Sequence, residues 1–178
     1  GPRKFSFLPI IASGKDTCVL HYIQNDKRCE DGDLVLMDIG TEYENYNSDM
    51  TRTVPVNGKF TPRQRAVYES VLNMMTYAKK ILKPGILKSE YERLVRVFAA
   101  GELVKLGLIT PAQVAEKPSD PPIVRKYYMH GCSHFLGLDV HDVGEANPVV
   151  LPGMVFTVEP GIYIAEEGIG IRLENDVL

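Results

Sequence analysis

Four short stretches of the chain hold the residue types that metal-assisted hydrolysis uses. The first is Leu34-Val35-Leu36-Met37-Asp38, followed by Asp49 just ahead of Thr51-Arg52-Thr53. An ionised carboxylate on the apolar face of a strand is costly unless a cation or a partner neutralises it. A hairpin would bring Asp49 back beside Asp38; the alternative is that Asp38 caps a turn while Asp49 pairs with Arg52. The second stretch runs from His130 through His134 to His141 and Asp142, so three of the four histidines fall within twelve residues. Imidazole is a common metal ligand and carries protons near neutral pH, although a glycine-rich loop also accommodates packed or surface histidines. In the third, Val155-Phe156-Thr157-Val158 ends on Glu159, and Pro160-Gly161 turns the chain directly afterwards. The fourth, Ile171-Arg172-Leu173-Glu174, alternates so that Arg172 and Glu174 share one face. Either glutamate alone reads as a strand-edge acid with a salt-bridged neighbour. Together, Asp38, Asp49, Glu159 and Glu174 carry four negative charges, which two divalent cations would cancel. Crowded without metal, such acids repel one another and take up protons. Oxygen donors with one imidazole suit Mn²⁺, Co²⁺, Fe²⁺ or Zn²⁺ and argue against a thiolate site.

The elements that must position these residues follow from the patterning. Phe5–Ile11, Thr17–Tyr22, Asp33–Gly40 and Met50–Val56 read as strands, with Asp31-Gly32 as turn chemistry and a Tyr/Asn-rich segment over 41–48. Thr61-Pro62 opens a helix in which Val67, Val71, Met74, Met75, Ala78 and Leu82 recur at helical spacing until Pro84-Gly85. Ser89 with Glu92 has the spacing of a capping box for a second helix, with Leu94, Phe98, Gly101 and Leu108 near one face. Residues 111–126, with four prolines, read as a loop, and strands return over 154–159, 161–164 and 170–178. Strands, then helices, then strands again is the order of an α+β domain rather than of repeated βαβ units.

Composition bounds the function classes. At 178 residues, 44% hydrophobic and 24% charged, the chain is long enough for one domain with a real core. A net charge of −3 and the lack of a basic cluster argue against nucleic-acid binding. No apolar run approaches membrane-spanning length, and the first residues lack the layout of a signal peptide. Cys18, Cys29 and Cys132 are widely spaced and suit reduced thiols in a cytoplasmic protein.

The motifs together resemble the pita-bread metallopeptidases, and within them the Xaa-Pro aminopeptidases. The resemblance is carried by Ala12-Ser13-Gly14 with Leu20-His21-Tyr22, by Leu36-Met37-Asp38-Ile39-Gly40, and by Tyr46 to Thr53. It continues through His130 to Asp142, Thr157-Val158-Glu159-Pro160-Gly161 and Ile171-Arg172-Leu173-Glu174, in the family's order. It implies a pita-bread catalytic domain over residues 1–178, with a curved antiparallel sheet and outer helices but without the family's N-terminal domain and first helices. It implies five metal ligands, Asp38, Asp49, His134, Glu159 and Glu174, with Asp49 and Glu174 bridging two divalent ions, manganese first among them. A hydroxide bridging the ions would be the nucleophile, Glu159 the general base, and His141 the donor to the scissile carbonyl. His21, His130 and Arg172 match positions that line or brace a proline pocket. The implied substrates are peptides with proline in second position, cut by a homo-oligomeric parent protein. The nearest rival is prolidase, a dipeptidase on the same scaffold. Ser133 follows the aminopeptidase pattern, whereas Phe135 departs towards prolidase. Methionine aminopeptidase fits the long histidine motif less well. A metal-free peptide-binding relative would be expected to have lost ligands that are all present here.

Overall fold

Short β-runs around Asp38 are drawn together by antiparallel pairing. The structure, a computed structural model, describes Gly1 and residues 4–178. Strand β1 (Lys4–Phe5) pairs with β4 (Thr41–Tyr43), which continues into β5 (Tyr46–Asn47). Strand β3 (Leu34–Asp38) lies between β2 (Ile10–Ser13) and β6 (Thr51–Pro55), with Asp38 opposite both Ile10 and Thr51. Leu34, Leu36 and Asp38 are buried while Val35 and Met37 are half-buried, as strand alternation requires. Glu44 and Asn45, with φ of 50° and 70°, turn the β4–β5 hairpin. Two left-handed residues give that turn the twist its strands need. The return leaves Asp49 beside the end of β3, where Ile39 N–H donates to the Met50 carbonyl at 3.0 Å.

Helix α1 (Pro62–Ile81) starts as its residues dictate: Thr61 and Gln64 form a reciprocal capping box, with Pro62 in the first turn. Its apolar stripe, Val67, Val71, Met74, Met75 and Ala78, is buried. Helix α2 (Lys88–Lys105) departs from expectation at its start and in its buried face. Leu87 is the N-cap and makes no side-chain cap bond. Glu92 does not close a capping box with Ser89; its carboxylate accepts from Lys88 Nζ and from the Cys132 amide. The buried stripe is Tyr91, Val95, Ala99 and Leu103, spaced by four, while Gly101 is exposed. Burying the Tyr91 ring, whose hydroxyl donates to Cys132 Sγ, sets this rotation.

Two further expectations are corrected. Residues 17–22 form no strand; Gly14–Cys18 is a 3₁₀ turn. Thr17 donates its hydroxyl to the Gly14 carbonyl at 2.6 Å and accepts from the Gly170 amide at 2.8 Å, a local bond that competes with strand pairing. The proline-rich segment contains helix α3 (Pro111–Ala115) and a 3₁₀ turn over Pro122–Lys126, each with proline at its start. Proline breaks helix interiors but suits the first turn.

The C-terminal third supplies β7 (Phe156–Val158), β8 (Gly161–Ile164), β9 (Ile169–Arg172) and β10 (Asn175–Val177). The single strand expected over 170–178 is divided, because the chain changes partner: β9 pairs with β8 and β10 with β7. Glu174 sits at the crossing, with its amide donating to the Thr51 carbonyl at 3.1 Å. Val158, Ile162, Ile164 and Ile171 join the residues of α1 and α2 in one apolar core. No helix among the described residues is long and apolar enough to cross a membrane.

Candidate metal centre

Side chains that alternate away from that core meet in one cavity. Asp38 closes β3, Asp49 precedes β6, Glu159 follows β7 and Glu174 lies between β9 and β10. All four line the same cavity as His134, with His21, His130, His141 and Arg172 around them. The ligand atoms of Asp49, His134 and Glu174 lie within 4.8 Å of one another. His134 Nε2 stands 3.3 Å from Glu159 Oε1 and 3.6 Å from Asp49 Oδ2. Its Nδ1 lies 2.8 Å from the Phe135 carbonyl, which makes Nδ1 the donor and leaves Nε2 facing the carboxylates. That is how metal-ligating histidines are commonly held. The alternative Asp49–Arg52 pair does not form: Arg52 donates to the carbonyls of Thr51 and Glu174 and to Asn175 Oδ1.

The acids are fastened on one side and left open on the other. Arg172 Nη2 donates to Asp38 Oδ2 at 2.6 Å, and Thr51 Oγ1 donates to Glu174 Oε2 at 2.6 Å. Asp38 Oδ1, Asp49 Oδ1 and Glu174 Oε1 are buried without a hydrogen-bond partner. Orphaned buried carboxylate oxygens are rare and call for a cation or a proton. Burial pushes the carboxyl of Glu174 well above its usual range, reinforced by Glu159, Asp49 and Asp38. Asp38 is raised by burial despite Arg172 beside it. Burial raises Glu159 to about 7, with His134 and Arg172 pulling the other way. At His134 burial disfavours the imidazolium, but the bond to Asp49, the Phe135 carbonyl and the charges of Glu159 and Asp49 together outweigh it and the pKa is raised. A buried donor set of four acids and an imidazole, in which Glu174, Asp38 and Glu159 are pushed towards protonation, fits divalent cations of the harder kind.

A second layer ties this centre to His130. Arg172 is 4% exposed. Its Nε donates to Thr51 Oγ1 at 3.1 Å, and its Nη1 to the Tyr163 hydroxyl at 3.1 Å. Tyr163 in turn lies 2.8 Å from His130 Nε2. All three guanidinium nitrogens therefore donate within the protein, which makes Arg172 a brace rather than an open wall. Burial lowers His130 to about 4, keeping its ring neutral. His141 is exposed at the rim, its ring centroid 4.5 Å from that of His134. His21 is exposed on the same cavity. Sequence reasoning gave no role to Tyr163, Thr51 or Thr157. The available signal was parity: Tyr163 alternates with the core residues Ile162 and Ile164, and so faces away from them.

Clustered acids and a histidine on an antiparallel α+β scaffold offer a donor set for a divalent cation. The chain belongs to metallopeptidase family M24, whose profile it matches over residues 1–178. It is 44% identical to the Xaa-Pro aminopeptidase of Escherichia coli strain K12, over 100% of this chain and 43% of that protein. A putative aminopeptidase P from Bacillus anthracis superposes with a TM-score of 0.91 at 43% identity, covering 100% of this chain and 41% of that one. Proline aminopeptidase P II from Yersinia pestis gives 0.90 at 42% identity, over 99% of this chain and 43% of its own. These likenesses establish the pita-bread fold. The chain spans less than half the length of each of these relatives.

Proposed function

We propose that the protein carrying this chain is an aminopeptidase that holds two divalent cations, manganese first among them, and hydrolyses the bond between an N-terminal residue and a following proline. The observation that carries this reading is the meeting of three orphaned carboxylate oxygens with His134, beside His130, which Tyr163 and Arg172 brace from behind. The names of the similar proteins support the same substrate class. Asp38, Asp49, His134, Glu159 and Glu174 would hold the ions, with Asp49 and Glu174 shared between them. Bound there, the metals would supply Lewis acidity and lower the pKa of water.

The chain's own residues do the rest. Glu159, steadied by the Thr157 hydroxyl at 3.2 Å, accepts a proton from the attacking water and delivers it to the proline nitrogen. His141 donates to the scissile carbonyl oxygen as negative charge develops there. His130 and His21 bound the proline ring, which has no N–H to pair and must be recognised by shape. Arg172 holds Asp38 and Tyr163 in place and acts on the ring through them. Three unpaired cysteines fit a cytoplasmic setting, and the family resemblance supports a homo-oligomer. Residues 1–178 are the catalytic domain in this reading.

Product analysis by mass spectrometry tests it. The full-length protein loaded with Mn²⁺ should release one residue from Xaa-Pro-Yaa tripeptides, cleave Xaa-Pro dipeptides no faster, and spare Xaa-Ala-Yaa. Turnover of dipeptides alone would replace the assignment with prolidase. No turnover of any proline peptide would discard the peptidase reading.

A further inference from the structure

The turn that carries His130 and His134 has little secondary structure of its own to hold it. Between Tyr128 and Val155 the chain forms no helix and no strand beyond single bridges. Its backbone groups must therefore find partners elsewhere. Cys132, fully buried between the two histidines, shows where they come from. Its carbonyl accepts from the Glu159 amide at 2.8 Å, and its amide donates to Glu92 Oε2 at 2.9 Å. One residue thus links the carboxylate of Glu92, on helix α2, to the backbone of Glu159.

We infer that Glu92 is a positioning residue for the peptidase site: acting through the Cys132 amide, it fixes the His130–His134 turn and the Glu159 backbone behind the metal centre. The inference rests on the proposed aminopeptidase reading. Several contacts support it. Glu92 Oε1 is held by Lys88 Nζ at 2.5 Å, with the two side chains 15% and 13% exposed, so the pair is largely removed from water. An ionised acceptor makes a stronger bond to an amide than a neutral one, and the Lys88 ammonium lies against the same carboxylate and fixes its orientation. A Cβ built on Gly131 would come to 3.6 Å from Glu92 Oε1, which shows how closely the carboxylate packs on the turn. Tyr91, adjacent on α2, donates its hydroxyl to Cys132 Sγ at 3.3 Å and backs the same residue. Were Glu92 only one half of an i,i+4 helix pair, it would contribute a few tenths of a kcal/mol and leave the site unmoved.

The test uses the full-length protein with Glu92→Ala, Glu92→Gln and Glu92→Asp. Glutamine keeps an acceptor for the Cys132 amide, whereas aspartate falls one methylene short of it. Outer-shell partners of metal ligands are worth roughly 10- to 100-fold, so Glu92→Ala should lower kcat about tenfold or more and raise the Mn²⁺ dissociation constant by a similar factor. KM for a tripeptide should move less than about threefold, since the turn is displaced rather than the substrate pocket removed. Glu92→Gln should recover both kcat and Mn²⁺ affinity to within about threefold of the parent, as one retained acceptor bond predicts. If Glu92→Ala fails to fold, Glu92→Asp carries the comparison. Parent-like Mn²⁺ affinity and kcat in both shortened variants, or Glu92→Gln as impaired as Glu92→Asp, overturns the inference. Calorimetric Mn²⁺ affinity is read independently of turnover. Weakened metal binding in a protein that cleaves no proline peptide would therefore sink the aminopeptidase reading and leave the positioning role standing.

Discussion

Glu159→Gln should stabilise the metal-free protein at pH 8 and leave it nearly unchanged near pH 4. In the folded protein burial raises this carboxyl from its ordinary 4.5 to about 7. Between those values the unfolded chain gives up its proton while the folded one keeps it, so stability falls as pH rises. The span from 4.5 to about 7, at about 1.4 kcal/mol per pH unit, comes to roughly 3 kcal/mol. Glutamine, which mimics the protonated acid, escapes that loss. His130 works in the opposite direction: lowered to about 4, it binds fewer protons when folded and adds stability as pH climbs towards 6.5. The parent's own pH profile mixes these trends with those of Glu174, Asp38 and His134, whereas the difference between parent and variant reports Glu159 together with the neighbours its charge acts on. Urea unfolding followed by circular dichroism in a chelator, at pH 4, 6 and 8, measures that difference. It should grow by roughly 3 kcal/mol across the series, and saturating Mn²⁺ at pH 8 should reverse its sign because only the parent keeps its full ligand set. A difference that stays flat from pH 4 to 8 would refute the claim that the centre crowds acids at the expense of the empty fold.

Other consequences are more direct. Asp49→Ala should abolish turnover and reduce bound metal by at least one ion per chain, measured by elemental analysis, while circular dichroism stays that of the parent. Thr51→Val removes the donor to Glu174 Oε2 and the acceptor for Arg172 Nε. Leaving those buried partners unpaired should cost about 1–3 kcal/mol in urea unfolding of the metal-free protein. Affinity for Mn²⁺ should fall as pH drops below about 6.5, where His134 and the raised carboxyls hold protons that compete with the ion. Isothermal titration at pH 6 and 8 reads this directly.

Much of the scaffold was legible because local pattern and tertiary demand agree. Strand β3 alternates, helix α1 has its cap, its first-turn proline and its stripe, and Asp38 and Glu159 each close an apolar run. Legibility failed where a side chain finds a distant partner. Thr17 spends its hydroxyl on Gly14 and Gly170, so a β-rich composition yields a 3₁₀ turn. Glu92 has capping-box spacing, yet its carboxylate reaches Cys132, forty positions on. Tyr91, an aromatic large enough to anchor a core, turned α2 away from the Leu94–Phe98–Gly101 face. The acids and histidines of the centre stood out by type and spacing. Their braces did not, because Thr51 and Tyr163 are ordinary strand residues until folding sets them against Glu174, Arg172 and His130.

The central claim is that five residues from distant segments form one two-metal centre. Anomalous scattering at the manganese edge from a Mn²⁺-loaded crystal tests it most directly. Two peaks in the cavity, both touching Asp49 and Glu174, one also bound by Asp38 and the other by His134 and Glu159, are the expected result. A single peak, or two peaks that leave Asp38 or Glu159 unbound at full occupancy, would contradict it.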